Sequence, residues 1–372
     1  MQPSQSNAFG VVTHLSGLAT AITKSTPKDP NTYWSDADTV TVDGITITLQ
    51  AIRSGTAQLV DDTYKVLLHD VFMGLPLQLA PLSQSHIIDH MQCYRTDYSL
   101  WTEPMNSFHN GRNALLDRVL MRETDEVFHH GLVGNDKASM QIIWDPNVCK
   151  KWLAHCEQFL KSLSSLFKIT AGQPPRDSET QQTLITNNPW RRRSLMAIPN
   201  HLLWILEYNK TRAVTHHDEF IVRVLPEKVE MLTMLWIQYG IPLYEKIIHS
   251  FYGSDAAAAT HYVLFAGRQG VWNPATFSQA FQQSSLKYFQ VQIGTATWRQ
   301  MAVAIRQQHI SSPRLAPILN VLGDEDLPLY EDDIGAVQVG HSVPTEQRHY
   351  ASVEQMLKGT PSEIFALFVE VG

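Results

Sequence analysis

The segment Thr39-Val40-Thr41-Val42-Asp43-Gly44-Ile45-Thr46-Ile47-Thr48-Leu49 alternates on both sides of an Asp-Gly pair. A period of two sorts its side chains onto opposite faces, and Asp-Gly tolerates the positive φ angles of a two-residue turn. The stretch therefore predicts an antiparallel hairpin. Elsewhere the apolar period lengthens. Leu59, Leu67, Leu68, Val71 and Phe72 predict a helix over 58–75, and a mostly helical pattern follows from about 84 to 135, with breaks near Glu103-Pro104 and Gly131. Pro146 opens a long helix through Trp152, Leu153, Cys156, Phe159, Leu160 and Leu163. Residues 200–226 form a β part. Val229, Leu232, Leu235, Trp236 and Tyr239 return to helical spacing, which Gly240 and Pro242 are expected to stop. Trp298, Met301, Ala302 and Ile305 form another helical stripe, with Arg299 at its edge. A chain that switches between the two periods in this way is α+β and mainly helical.

The 372 residues suggest an N-terminal hairpin-and-helical region over 1–142 and a second domain over 143–372. Net charge is −7, and it is uneven: 9 basic and 15 acidic residues precede position 143, against 20 and 21 after it. That balance argues against tight non-specific DNA binding and leaves room for a local basic site in the second part. Cys93, Cys149 and Cys156 do not make a disulfide framework; the last two share one helix face as core thiols, which fits a reducing, intracellular compartment. The start of the chain does not read as a signal peptide, and no apolar run is long enough for a membrane span.

Five segments carry the chemistry. Thr170-Ala171-Gly172-Gln173-Pro174-Pro175-Arg176-Asp177-Ser178-Glu179 places an arginine after a small-residue turn. Leu203 to Lys210 reads as a strand ending in lysine, and Glu219 to Pro226 as the returning strand. Thr297-Trp298-Arg299 brings a second arginine on a helix. Gly340-His341-Ser342 is followed by Tyr350, nine residues beyond the histidine. The order Arg, Lys, Arg, His, Tyr resembles the tyrosine recombinases (the phage-integrase superfamily) over residues 145–372. Its texture is closer to divergent fungal members, such as Crypton-type transposable elements and the related domain beside telomere-linked RecQ-type helicases.

The resemblance implies a C-terminal catalytic domain of helices around a small antiparallel sheet, preceded by a helical DNA-clamping region. It also implies metal-independent DNA breakage and rejoining in recombination or integration, in the nucleus, with no cofactor. In that reading Tyr350 attacks a phosphate and forms a 3′-phosphotyrosyl link. Arg176 and Arg299 grip the non-bridging oxygens with planar forks. Lys210 protonates the leaving 5′ oxygen, and His341 orients the phosphate or handles a proton. Arg191, Arg192 and Arg193, behind Trp190, are candidate backbone contacts.

Each residue also has a plainer reading. Tyr350 fits a packing role, Arg176 a solvated first turn, Arg299 a snorkelling surface arginine with Arg306 as its substitute, and Lys210 an exposed hairpin lysine near Arg212 and Lys228. The run Trp190 to Arg193 fits a solvated loop. Ala296 stands where the family has His or Lys. Arg299 and His341 stand 42 positions apart, and the stretch between them holds an acidic run from Asp324 to Asp333, expected to form an exposed loop directed away from the cleft. Both departures favour the alternative of a degenerate recombinase fold that holds DNA or a helicase without cutting. A third reading is an unrelated helical scaffold. His129-His130 and His216-His217 lack the partners of a tetrahedral metal site. The apolar helix after Thr360-Pro361-Ser362-Glu363 must be buried, in cis or against a second copy of the chain.

Overall fold

The computed structural model describes residues 31–78, 87–120, 131–133, 143–198, 201–208 and 219–309. Within them the protein is mainly helical with small antiparallel sheets. The hairpin forms as its sequence demands: β2 (Thr39–Val42) pairs with β3 (Ile45–Thr48) around Asp43 and Gly44, at φ 52° and 78°. A short strand, β1 (Thr32–Trp34), adds to the outer side of β2.

Helix α1 (Leu49–Lys65) begins directly at the end of β3, nine residues before the periodicity suggested, because the Thr48 hydroxyl accepts the Ala51 N–H at 3.1 Å as an N-cap. Gly55 hid this turn from a pattern reading, since glycine weakens a helix. Here it is required, because a Cβ at Gly55 would lie 2.4 Å from the Tyr288 carbonyl oxygen. The helix continues as a π turn over Val66–Val71, whose last carbonyl accepts the Trp152 indole N–H at 2.9 Å.

Residues 87–99 are irregular, and only α2 (Ala114–Leu120) and two short 3₁₀ turns interrupt the described residues up to 120, so the mostly helical expectation for 84–135 does not hold there. Side chains take over the backbone's hydrogen bonds. The Asn106 amide donates to the Ile88 and Leu100 carbonyls at 2.9 and 2.8 Å, Asn187 donates to the Cys93 and Arg95 carbonyls, and Tyr98 Oη accepts the His90 N–H at 2.8 Å. Such anchors satisfy buried backbone without a helix, and apolar spacing does not reveal them.

Helix α3 (Pro146–Thr170) is capped by Asp145, whose carboxylate accepts the Asn147 and Val148 N–H groups. Its buried stripe includes Cys149, Trp152, Cys156, Phe159 and Phe167. Burial pushes the Cys149 thiol up to about 12 and holds Cys156 well above its ordinary value, so both are packing groups. A single turn, α4 (Asp177–Thr180), follows. The second sheet runs β4 (Leu195–Ile198), β5 (His201–Tyr208), β6 (Glu219–Val224) in order, with Leu195 opposite Trp204 and Trp204 opposite Arg223. Its two faces differ. Leu195, Leu202, Trp204 and Leu206 join the main core; Met196, Leu203, Ile205, Val222 and Val224 form a separate cluster.

Gly240 and Pro242 do not stop the next helix. α5 (Glu227–Leu235) passes through a π turn at Trp236–Gly240 into α6 (Ile241–Tyr252). Proline lacks an N–H and its ring crowds the preceding turn; the wider π turn absorbs that misfit. Gly240 leaves the space that the Trp236 ring fills, only 2.3 Å from where a Cβ would stand. The remaining elements are α7 (Ser254–Tyr262), the two-residue pair β7 (Ala266–Gly267) and β8 (Gly270–Val271), α8 (Pro274–Phe289) and α9 (Thr295–His309).

The described core does not divide at residue 142. Leu59, Leu67, Phe72, Trp101 and Leu115 belong to one apolar cluster with Phe159, Trp204, Trp236 and Phe265. A second cluster joins Val40, Val42 and Ile47 of the hairpin to Phe281, Phe289, Trp298 and Met301. Among the described residues, no helix is long and apolar enough to cross a membrane.

Candidate functional site

The turn between α3 and α4 carries Arg176, and it is held from two sides. From β6, the Arg223 guanidinium donates through Nε to the Gln173 carbonyl at 3.0 Å. From α9, Arg299 donates through Nε to the Pro174 carbonyl at 3.1 Å. In return, the Gln173 amide donates to the Ala302 carbonyl at 3.2 Å. One turn earlier, the Trp298 indole donates to the Lys168 carbonyl at 3.0 Å. Two consecutive prolines, Pro174 and Pro175, cannot donate backbone N–H groups, so their stretch offers carbonyls only. Arginine forks are suited to such a segment.

Arg176 ends the turn as the residue before α4. Its N–H and its Nη1 bind the two carboxylate oxygens of Glu179, at 2.9 and 3.1 Å. Its side chain is 35% exposed, so this is a half-wet ion pair and solvent can compete for both groups. The buried Lys168 ammonium pairs with Asp177, contacts the Thr295 hydroxyl at 3.3 Å, and lies 5.7 Å from the centres of the Phe277 and Phe281 rings. Burial pulls the Lys168 pKa down, against the opposing attraction of Asp177. Arg223 is fully buried over the Trp204 ring. Burial draws its pKa down to about 10; Glu179 works against that shift and the like charge of Arg299 adds to it.

Arg176 and Arg299 thus border the same turn, although 123 residues separate them in sequence. Arg223 and Lys168 were not picked out from sequence. The available signal for Arg223 was its register: within Glu219–Val224 it shares the inward face with Ile221, where alternation calls for an apolar residue. Lys168 lies in the last turn of α3, where lysine is ordinarily read as a solvated partner of the helix dipole. Ala296 is exposed in the first turn of α9. Lys210, His341, Tyr350, the acidic run, the paired histidines and the C-terminal apolar helix lie outside the described residues.

The basic run separates into three fates. Arg193 is buried, pairs with the equally buried Asp89, and lies over the Tyr98 ring, so its guanidinium is spent inside the protein and is not a backbone-phosphate contact. The same Asp89 carboxylate accepts the Ala197 N–H at 2.8 Å, which ties residues 87–91 to β4. Arg191 donates to the Gln182 side chain at 2.9 Å, and Arg192 donates to the Met91 carbonyl at 3.1 Å with its guanidinium 4.7 Å from the Tyr94 ring centre. Those two remain at the surface beside an open cavity of about 270 Å³.

No protein-family model matches the chain, and no solved structure matches it.

Proposed function

We propose that this chain is a DNA strand-breaking and rejoining protein of the tyrosine-recombinase type. The observation that supports the reading is the meeting of Arg176 and Arg299 at one carbonyl-rich turn. A phosphate clamp needs two forks at one place, and nothing local in sequence requires these two to meet. In the reaction, Tyr350 Oη attacks phosphorus and the bond to the 5′ oxygen breaks. The phenolic proton passes to a neighbouring base, and Lys210 supplies a proton to the departing 5′ oxygen. The phosphotyrosyl bond conserves the energy for rejoining.

A second reading has its own support. Arg176 is neutralised by Glu179, and Arg299 spends its Nε on a backbone carbonyl. Together with Ala296, these contacts suit a degenerate recombinase fold that holds DNA or a partner helicase without cutting.

A nicked suicide substrate separates the two. The first reading expects a covalent protein–DNA adduct that disappears in Tyr350→Phe while the protein keeps its fold and its DNA affinity. Binding without an adduct supports the second. An adduct that persists in Tyr350→Phe sinks the assignment of the nucleophile.

A further inference from the structure

The open cavity beside Arg192 is lined by two of the most exposed aromatic rings among the described residues. Trp190 is 86% exposed and Tyr94 is 72% exposed. An exposed tryptophan loses the burial that ordinarily justifies it, so a pair of such rings in one cleft marks a surface made to be covered. The ring of Trp190 is not on a loose loop. Asn188 Oδ1 accepts the Trp190 and Arg191 N–H groups at 2.9 and 2.7 Å, and the Asn188 N–H returns to the Arg191 carbonyl at 3.0 Å. The turn is therefore built before anything binds. Below the rings, Met196 and Ile205 give the cleft an apolar floor.

Charge chooses the occupant. Arg191 and Arg192 line the cleft, and Arg192 already lies over Tyr94. A cationic ligand is repelled, whereas a flat ring carrying a phosphate meets aromatic faces and guanidinium groups together. A volume of about 270 Å³ lies just under the roughly 300–1,000 Å³ of small-ligand sites, so it suits one ring system and not a helix. Duplex DNA keeps its bases stacked inside and offers no free face to such a cleft.

We propose that this cleft binds an unpaired nucleotide of a DNA strand, with the base against Trp190 and the apolar floor and the phosphate toward Arg191 and Arg192. The site builds on the DNA reading but not on the strand-breaking step. Such a contact would hold a displaced strand close to a recombining site.

The test is fluorescence anisotropy with an end-labelled oligothymidylate, alone and annealed to its complement. The single strand should bind more tightly than the duplex. Trp190→Ala and Tyr94→Ala should each weaken single-strand binding by about 5- to 100-fold, with Trp190→Phe restoring most of it. Tyr33→Ala, which removes an exposed ring outside the cleft, should change nothing. Duplex binding equal to single-strand binding, or a Trp190→Ala affinity indistinguishable from wild type, would overturn the proposal. So would occupation of the cleft by a proline-rich peptide that oligothymidylate does not displace. Strand binding that depends on Trp190 in a protein that forms no covalent adduct breaks only the cleavage reading; an adduct without such binding breaks only this one.

Discussion

Two arginine-bearing turns, residues 171–176 and residues 188–193, face opposite demands. The first is proline-rich and has carbonyls to satisfy, so arginines from β6 and α9 reach into it and bind its backbone. The second satisfies its own N–H groups through Asn188 and sends its arginines outward to other segments: one to a buried carboxylate, one to a glutamine, one to a carbonyl and a ring. The same side chain thus serves as a staple where it is dry and as a reachable cation where it is wet. A basic run in sequence does not distinguish the two, because the distinction is made by Asp89, more than a hundred residues upstream.

The sharpest way to break this comparison is at the dry staple. Asp89→Ala leaves Arg193 charged and buried without its carboxylate, which should cost about 3–5 kcal/mol in urea unfolding. A loss below about 1 kcal/mol would mean that Arg193 reaches solvent and belongs with the wet arginines. Arg223→Met tests the clasped turn. It removes a buried charge along with the donor to the Gln173 carbonyl, so a smaller loss of about 1–3 kcal/mol is expected. The reading of that turn as clasped from β6 fails if thermal melting and protease susceptibility near residue 173 both stay unchanged.

The smallest effect concerns His261, a surface reference for both turns. It contacts Glu245 at 3.4 Å and Asp97 at 3.6 Å, and the hydrogen bond to Glu245 leads in raising its pKa above 6.5. A raised histidine pKa stabilises the folded state fully below the unfolded value, and the contribution fades as pH climbs through the folded value. Stability should therefore drop by less than about 1 kcal/mol as pH rises upward from about 6.5. His261→Gln should flatten that slope, and an identical slope in the variant would show that another group titrates there.

Period and turn chemistry made much of the fold legible. The Asp43-Gly44 hairpin, the Pro146 start of α3, the paired strands around residues 203–224 and the Trp298 stripe all carry local patterns strong enough to survive packing. What sequence hid depends on distant partners. Gly55 looks like a defect until Tyr288 crosses it, Gly240 looks like a stop until Trp236 covers it, and Asn106 anchors two carbonyls that no periodicity names. The candidate site divides in the same way. Arg176 and Arg299 could be named from their motifs, but the buried Arg223 and Lys168 that steady their surroundings carry no motif of their own.

The cluster that joins the hairpin to Trp298 and Met301 also has a consequence in time. The apolar face of Val40, Val42 and Ile47 is synthesised before its cover on α9, which arrives some 250 residues later. A contact of that sequence separation closes a very long loop and gains nothing until the loop is closed. A growing chain therefore carries an unmatched β surface while those intervening residues are made, and α9 with Arg299 cannot seat on the hairpin before then.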